Sequence, residues 1–386
     1  MSIVRFLQFS DLALGGEPDD GDLALAPAEA ASRREEERAA VDRLVAIARE
    51  EEVALVLVPG DLLDGALARR EDVAFLMERL GALAVPVVIA PGRGDRATMT
   101  SPYRREFLQA CRDPEWPENV HLVGLDGPEL IRLPMATVGV LPVYGVHWEW
   151  KPEVSEETID ILLVPGLDET TDLPQAELVS LGFDYYALGG FRRRVDMRTP
   201  NPVVVEGILR GASSGSPFAR RAADVGERVA LVGELEKVEG AVAVRLRPVR
   251  VDARRLVLVD VEVADVPSGE ELLRKMREAI HASGAAEGDM VEVRVRGTLH
   301  PDARMDLPEL ARPEKHFHCR ADLSALLPAY ALDELAASPT SQGKFVAKLL
   351  ARSRAVSDPE ERLALRNAIY YGLDAMRGAD LRRRYE

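Results

Sequence analysis

Only two cysteines, Cys111 and Cys319, occur in the 386 residues, far apart and outside any CxxC spacing. That shortage excludes a disulfide framework and a zinc finger, and it fits a reducing cytoplasm with buried thiols. No run of about 18 uncharged apolar residues occurs, so no membrane span is expected. The opening MSIVRFLQFSDL is too short, and too polar after Ser10, for a secretory signal, so a cytoplasmic protein is expected. Basic charge is also short: 49 Lys and Arg stand against 65 Asp and Glu, a net charge of −16. Proteins that live on phosphate backbones usually present a basic surface. Any DNA contact is therefore expected to be local or assisted by a partner, while the acidity itself favours solubility. There are no internal repeats and no low-complexity segments. Hydrophobic residues make up 47% of the chain, enough to bury a core, and the length suits two or three domains.

The first 200 residues alternate short apolar runs with helical stretches. Strands are expected at 3–9, 53–58, 85–90, near 120–125 and 136–142, at 161–164 and at 185–188. Helices are expected at 29–52, where Val41, Leu44, Val45 and Ala48 keep helical spacing, at 71–83 and at 173–181. Apolar strands interleaved with helices are covered on both faces, so an α/β layered domain is predicted. From Pro202 the pattern turns to β runs at 203–205, 228–235 and 241–251, read as a hairpin completing a second sheet. Residues 256–297 read strand, helix, strand, with Ser268 and Glu271 spaced as a capping box. The expected organisation is a main domain over 1–252, a small α/β domain over 253–320 and a helical C-terminal segment over 321–386. That last segment has breaks at Pro328, Ser338-Pro339 and Asp358-Pro359.

Four strand ends carry turns rich in Asp and Gly. FLQFSDLALGG places Asp11 just past its strand, and LVLVPGDLLDG places Asp61 and Asp64. VVIAPGRGD brings Gly92, Arg93, Gly94 and Asp95, and DYYALGGFRRR ends a strand in Gly189-Gly190 before Phe191, Arg192, Arg193 and Arg194. Each turn alone is ordinary turn composition. Ligands of open α/β sheets bind at the carboxyl ends of strands, so four such turns in order point to one crevice.

In the order and spacing of these turns the chain resembles the calcineurin-like metallophosphoesterases, and within them the SbcD-like DNA-repair exonucleases. The tail SPTSQGKFVAKLLAR…DPEERLALRNAIYYGLDAM resembles a YhaO-type branch of that group. The resemblance implies a layered β-sandwich flanked by helices, a small α/β capping domain and a helical tail. It also implies a two-metal cluster held by Asp, His and Asn, a further His that protonates the leaving group, an SMC-like ATPase partner and a homodimer. The family reads D-x-H, GDxxD, GNHD, a later strand-end His, and GHxH. Asp11 and the bridging Asp61 match that pattern. Ala13, Arg93, Gly94, Pro165, Gly190 and Arg192 stand in its other metal-ligand and catalytic places. All six histidines (121, 147, 281, 300, 316, 318) lie outside these motifs. His316 and His318 in HFHC are expected as exposed strand residues.

Two carboxylates alone do not make a site for two transition-type ions, which favour imidazole-rich ligand sets. Arginine stays protonated, and a guanidinium repels a dication. Arg93 and Arg192, with Arg193 beside them, are therefore expected to pair with Asp11, Asp61 or Asp64, or to hold a phosphate. A catalytically degenerate subunit acting as scaffold or regulatory partner of an SMC-like ATPase in DNA repair is the leading expectation, with no metal. One alternative is an active metal-dependent exonuclease or phosphoesterase. It would use Mg2+ or Mn2+ on Asp11 and Asp61, with ligands such as His147 or Asp168 recruited. A second is a phosphate- or nucleotide-binding module without turnover. Phe345, Leu349 and Leu350, and Leu363, Leu365, Ile369 and Leu373, are spaced as apolar stripes on tail helices. They are read either as packing within their own domain or as docking on a partner.

Overall fold

The structure, a computed structural model, describes residues 2–19, 21–108, 115–143, 150–155, 157–166, 178, 180–191, 204–205, 208–303 and 305–378. These form two compact units, 1–256 and 257–386. In the first unit the strands are β1 (Ser2–Gln8), β2 (Leu55–Pro59), β3 (Val87–Ala90), β4 (Val120–Leu122), β5 (Glu129–Arg132), β6 (Thr137–Val140), β7 (Asp160–Val164) and β8 (Tyr185–Leu188). They continue with β9 (Val204–Val205), β10 (Ile208–Leu209), β11 (Gly211–Ser213), β12 (Val229–Val238) and β13 (Ala241–Arg250). One sheet runs β13-β12-β1-β2-β3-β4 and a second runs β11-β8-β7-β6-β5. Within them β1 to β4 are parallel, and so are β6, β7, β8 and β11.

Alternation along the strands builds three layers. Val4, Phe6, Leu55, Leu57, Val88 and Ala90 of the first sheet meet Val138, Val140, Ile161, Leu163, Tyr185 and Ala187 of the second. On the outer side of the first sheet, Leu7, Val56, Val58 and Ile89 pack on two helices, α1 (Pro27–Glu50) and α2 (Arg70–Gly81). The expected spacing residues Val41, Leu44, Val45 and Ala48 are all buried there. Burying one Val or Leu side chain contributes about 1.5–3 kcal/mol, so these layers dominate the stability.

The hairpin β12–β13 departs from expectation. It extends the first sheet, with β12 antiparallel to β1 over the full length of β1, and β11 adds to the second sheet instead. Residue spacing marks a hairpin but does not say which sheet edge receives it. Gly233 lies opposite Phe6, and a Cβ there would stand 2.1 Å from the Phe6 ring, so this pairing needs a residue without a side chain.

Behind the sheet a buried arginine fastens α1. Arg33, with no exposed surface, makes two 3.0 Å hydrogen bonds to Asp252 and one of 2.7 Å to Glu36, and its guanidinium lies 3.8 Å over the Phe218 ring.

The second unit contains β14 (Leu256–Val266), β15 (Met290–Leu299) and β16 (His318–Pro328) as a sheet in that order, with the helix Gly269–Ala282 on one face. The Ser268 hydroxyl caps that helix by accepting from Glu271 N at 3.2 Å. β16 runs through the expected boundary at 320/321 and pairs in parallel with β15 to Pro328, so the helical tail begins at Leu332 rather than near 322. The alternating run after Cys319 satisfies a strand edge that the sequence alone does not reveal. His318, expected to be exposed, is buried, with Nε2 3.4 Å from Glu292 Oε1. The tail helices Leu332–Ala337, Ser341–Ala355 and Pro359–Met376 start near the expected breaks, the last two capped by Thr340 and Asp358. Their stripe residues Phe345, Leu349 and Leu350 pack on Val346, Ile369 and Leu373 of the same unit, whereas Leu363 is 46% exposed. No helix among the described residues is long and apolar enough to cross a membrane.

Replacing Asp252 with Ala strands the buried Arg33 charge on Glu36 alone. We expect a loss of about 3 kcal/mol in urea unfolding, against less than about 1 kcal/mol for removal of the exposed Arg245–Glu236 pair.

Candidate functional site

The carboxyl ends of the parallel strands meet because their loops hydrogen-bond to one another. After β1, Asp11 N donates to Gly60 O at 3.1 Å and Ala13 N to Asp61 O at 2.8 Å, so the Asp11 and Asp61 turns run side by side. After β8, Gly189 N donates to Val164 O at 2.9 Å. Gly189 passes so close to β2 that a Cβ would stand 1.5 Å from Pro59 O. That contact requires the first glycine of the Gly-Gly pair. The second, Gly190, adopts φ 90° and aims its N–H at Asp11 Oδ2, 3.1 Å away.

Asp11 and Asp61 both hold left-handed backbone, at φ 59° and 51°. Asp tolerates this region better than most residues, but it costs energy that the surrounding structure must supply. Asp11 Oδ2 also accepts from Ser10 Oγ at 2.6 Å, and Asp61 Oδ1 accepts from Gly94 N.

Asp95, on the turn after β3, is fully buried and acts as the hub. Its carboxylate accepts from the N–H groups of Gly92 (2.6 Å), Asp61 (3.2 Å), Leu62 (2.8 Å) and Leu63 (3.2 Å), and from Tyr103 OH (2.5 Å). Three successive amides from one turn form a concave nest for an anion, and here the anion is the protein's own carboxylate. Burial first, and then the neighbouring Asp61 charge, push the Asp95 carboxyl up to about 6, although its hydrogen bonds oppose the rise. The Tyr103 hydroxyl, pushed higher by burial and by Asp95, stays protonated as a donor.

Of the expected site residues, the folded chain gathers Asp11, Asp61 and Asp95 with the Gly92–Gly94 turn. Arg93 lies half-buried on that turn. Asp64 is placed differently: its Oδ1 accepts from Ala66 N and Leu67 N at 2.9 Å, closing its own turn. Arg192, Arg193, Arg194, His147 and Asp168 lie outside the described residues.

Sequence reasoning missed Ser10, Tyr103, Ser214 and Arg220. Ser214 Oγ accepts from Ser10 N at 3.2 Å. Arg220, 5% exposed, donates to the carbonyls of Leu12 (2.9 Å), Ala13 (3.0 Å) and Glu17 (2.6 Å) and pairs with Glu37. It therefore pins the Asp11 loop to α1. About 200 positions separate these partners, and only the Gly-Ser run 211–216 marks a loop there.

The donor set does not fit a two-metal cluster. The carboxylate oxygens Asp11 Oδ2 and Asp61 Oδ1 already accept hydrogen bonds from the protein, and those of Asp95 are enclosed by five donors. Imidazole donors are missing at the strand ends, where Ala13, Gly94, Pro165 and Gly190 stand. Among the described residues no group of three or more His, Cys, Asp or Glu is placed to hold a metal ion.

A carboxyl whose folded pKa is raised stabilises the fold when protonated. That contribution is complete below 3.8 and is lost as pH rises through about 6. Asp95→Asn removes the titration and leaves at least one buried N–H without an acceptor, at a cost of about 1–3 kcal/mol. We expect its stability deficit against wild type, measured by urea unfolding, to be larger near pH 4.5 than near pH 7.5, by roughly the linkage of one carboxyl. A deficit that grows with pH would contradict the assignment.

No protein-family model matches the chain, and no curated protein does. Among solved structures it is similar to TT1561 of Thermus thermophilus, at 14% identity and a TM-score of 0.37, over 65% of this chain and 100% of that one. It is also similar to Vacuolar Protein Sorting 29 from Cryptosporidium parvum, at 13% identity and a TM-score of 0.29, over 65% and 100%. A third similar structure is YfcE, a phosphoesterase from E. coli, at 12% identity and a TM-score of 0.27, over 64% and 100%.

Proposed function

We propose that the chain is a metallophosphoesterase-type module of SbcD-like kind whose crevice has lost its two-metal centre. In this reading it acts as a scaffold or regulatory subunit of an SMC-like ATPase in DNA repair or processing. The observation that carries the proposal is the state of the strand-end carboxylates. Asp11, Asp61 and Asp95 converge where the resemblance expects a metal cluster, yet backbone amides and hydroxyls engage Asp11 Oδ2, Asp61 Oδ1 and both oxygens of Asp95. Residues without donor side chains stand where nitrogen ligands would be needed. A two-metal centre works by activating water and neutralising phosphoryl charge. In this reading the described strand ends, with no donor set for two metals and no imidazole acid, keep their arrangement and lack the means to cleave.

A second reading is favoured by Arg93, half-buried on the turn that also supplies Gly94 N to Asp61. A guanidinium there offers paired N–H donors to a phosphate group, which makes the crevice a binding site without turnover.

Metal analysis of the purified chain and Mn2+-dependent cleavage of single- and double-stranded DNA test both readings. We expect less than about 0.1 equivalent of tightly bound metal and no cleavage above the background set by Asp61→Ala. Stoichiometric Mn2+ with cleavage abolished in Asp61→Ala would overturn the proposal and assign an active phosphoesterase. Inorganic phosphate binding lost in Arg93→Ala, with no metal present, would select the second reading.

A further inference from the structure

Charge is distributed unevenly along the chain. Residues 341–386 carry ten Lys and Arg against six Asp and Glu, a net +4 within a chain of −16, so the other 340 residues carry −20. The helix Ser341–Ala355 contains Lys344, Lys348, Arg352 and Arg354 and no acidic residue. Lys344, Lys348 and Arg352 recur every fourth position, about 6 Å apart along one face, and all three are exposed. Among the described residues Lys344 and Lys348 have no carboxylate partner. Arg352 pairs with Glu361 at 3.0 Å and Arg354 with Asp333 at 3.5 Å, both pairs between exposed side chains. Such pairs are worth about 0–1 kcal/mol and yield readily to a stronger anion. Arg362, whose guanidinium bonds Val356 O at 2.9 Å, extends the cationic strip across the joint to the next helix.

The opposite face of the helix is already used. Val346 is fully buried, and Phe345, Leu349 and Leu350 pack against Ile369 and Leu373. Gly372 meets the Phe345 ring so closely that a Cβ would stand 2.2 Å from it. The exposed face is therefore a row of cations with no apolar anchor. Protein interfaces draw their energy from buried aromatic and apolar centres and are depleted in Lys. A membrane-surface helix needs an apolar face free to insert. The exposed apolar residues of the neighbouring helix, Leu363 and Met376, lie near its opposite ends and form no patch. Regularly spaced cations alone suit a polyphosphate backbone, where counterion release supplies the affinity.

We infer that the exposed face of the helix Ser341–Ala355 docks on the phosphate backbone of a nucleic-acid duplex, without reading bases. The inference does not depend on the state of the crevice.

The test is fluorescence anisotropy of the full chain on a labelled DNA duplex of about 30 base pairs, with affinity followed from roughly 25 to 150 mM NaCl. The triple variant K344A/K348A/R352A keeps helix-forming residues at exposed positions. We expect it to bind at least about tenfold more weakly near 50 mM salt and to lower the log–log salt slope by about 2.7, one phosphate contact per side chain. A charge-matched control at other exposed arginines, R245A/R274A/R296A, should change the slope by less than about 1. Circular dichroism checks folding, and the single variant K348E gives the same reading, a loss of slope, if the triple variant unfolds. The inference is overturned by any of four results: no binding of wild type near 25 mM salt, a triple variant that binds as wild type does, an equal loss in the control, or displacement by poly-glutamate as effective as by unlabelled duplex. The last would assign the strip to an acidic protein instead.

Discussion

The meeting of the strand-end loops depends on one buried carboxylate. Asp95 draws in four backbone amides and a tyrosine hydroxyl, and three of those amides belong to the turn after β2 while one belongs to its own turn after β3. Without an acceptor at that point, the left-handed Asp61 and the N–H groups that follow it would be buried without partners. Each such group costs about as much as a lost hydrogen bond. A charge enclosed by donors thus does structurally what a bound ion does elsewhere: it fixes the geometry of converging loops.

The same logic extends to the turns on either side. Arg220 gathers three carbonyls of the Asp11 loop, so a cation and an anion, Arg220 and Asp95, terminate opposite polarities of backbone in adjoining loops. Gly189 lets β8 approach β2, and Gly190 then closes on Asp11. The converging loops are held by the protein's own groups at every strand end described.

The second unit uses charge differently. Its β14–β15–β16 sheet is covered on one face by a helix with a buried apolar side, and its last two helices consume their apolar stripes on one another. What remains outward on the helix Ser341–Ala355 is cationic. In a chain of −16 this local positive strip lies on an exposed face of its helix, with Lys344, Lys348 and Arg352 all exposed.

Much of this was already legible in the sequence. Period-two and period-3.6 patterns placed the parallel strands and α1, because burial on both faces leaves continuous apolar runs and a helix stripe. The order of the Asp- and Gly-bearing turns marked the loops that hydrogen-bond to one another, since strand ends in parallel sheets point the same way. The absence of histidine from those turns was plain from composition and position alone. Other features were decided only by tertiary structure. The hairpin β12–β13 joined the first sheet because β1 offered an open edge with Gly233 opposite Phe6, and β16 ran past 320 because β15 offered another. Asp64 turned away to cap its own loop, whereas Asp95, identical in chemistry and only 31 positions later, became the buried hub. Local spacing determines which residues can form a turn. Which groups surround a carboxylate or a loop depends on segments brought together along the chain, such as the Leu62 amide on Asp95, 33 positions away, or Arg220 on the Asp11 loop, and no local pattern in a sequence records that meeting.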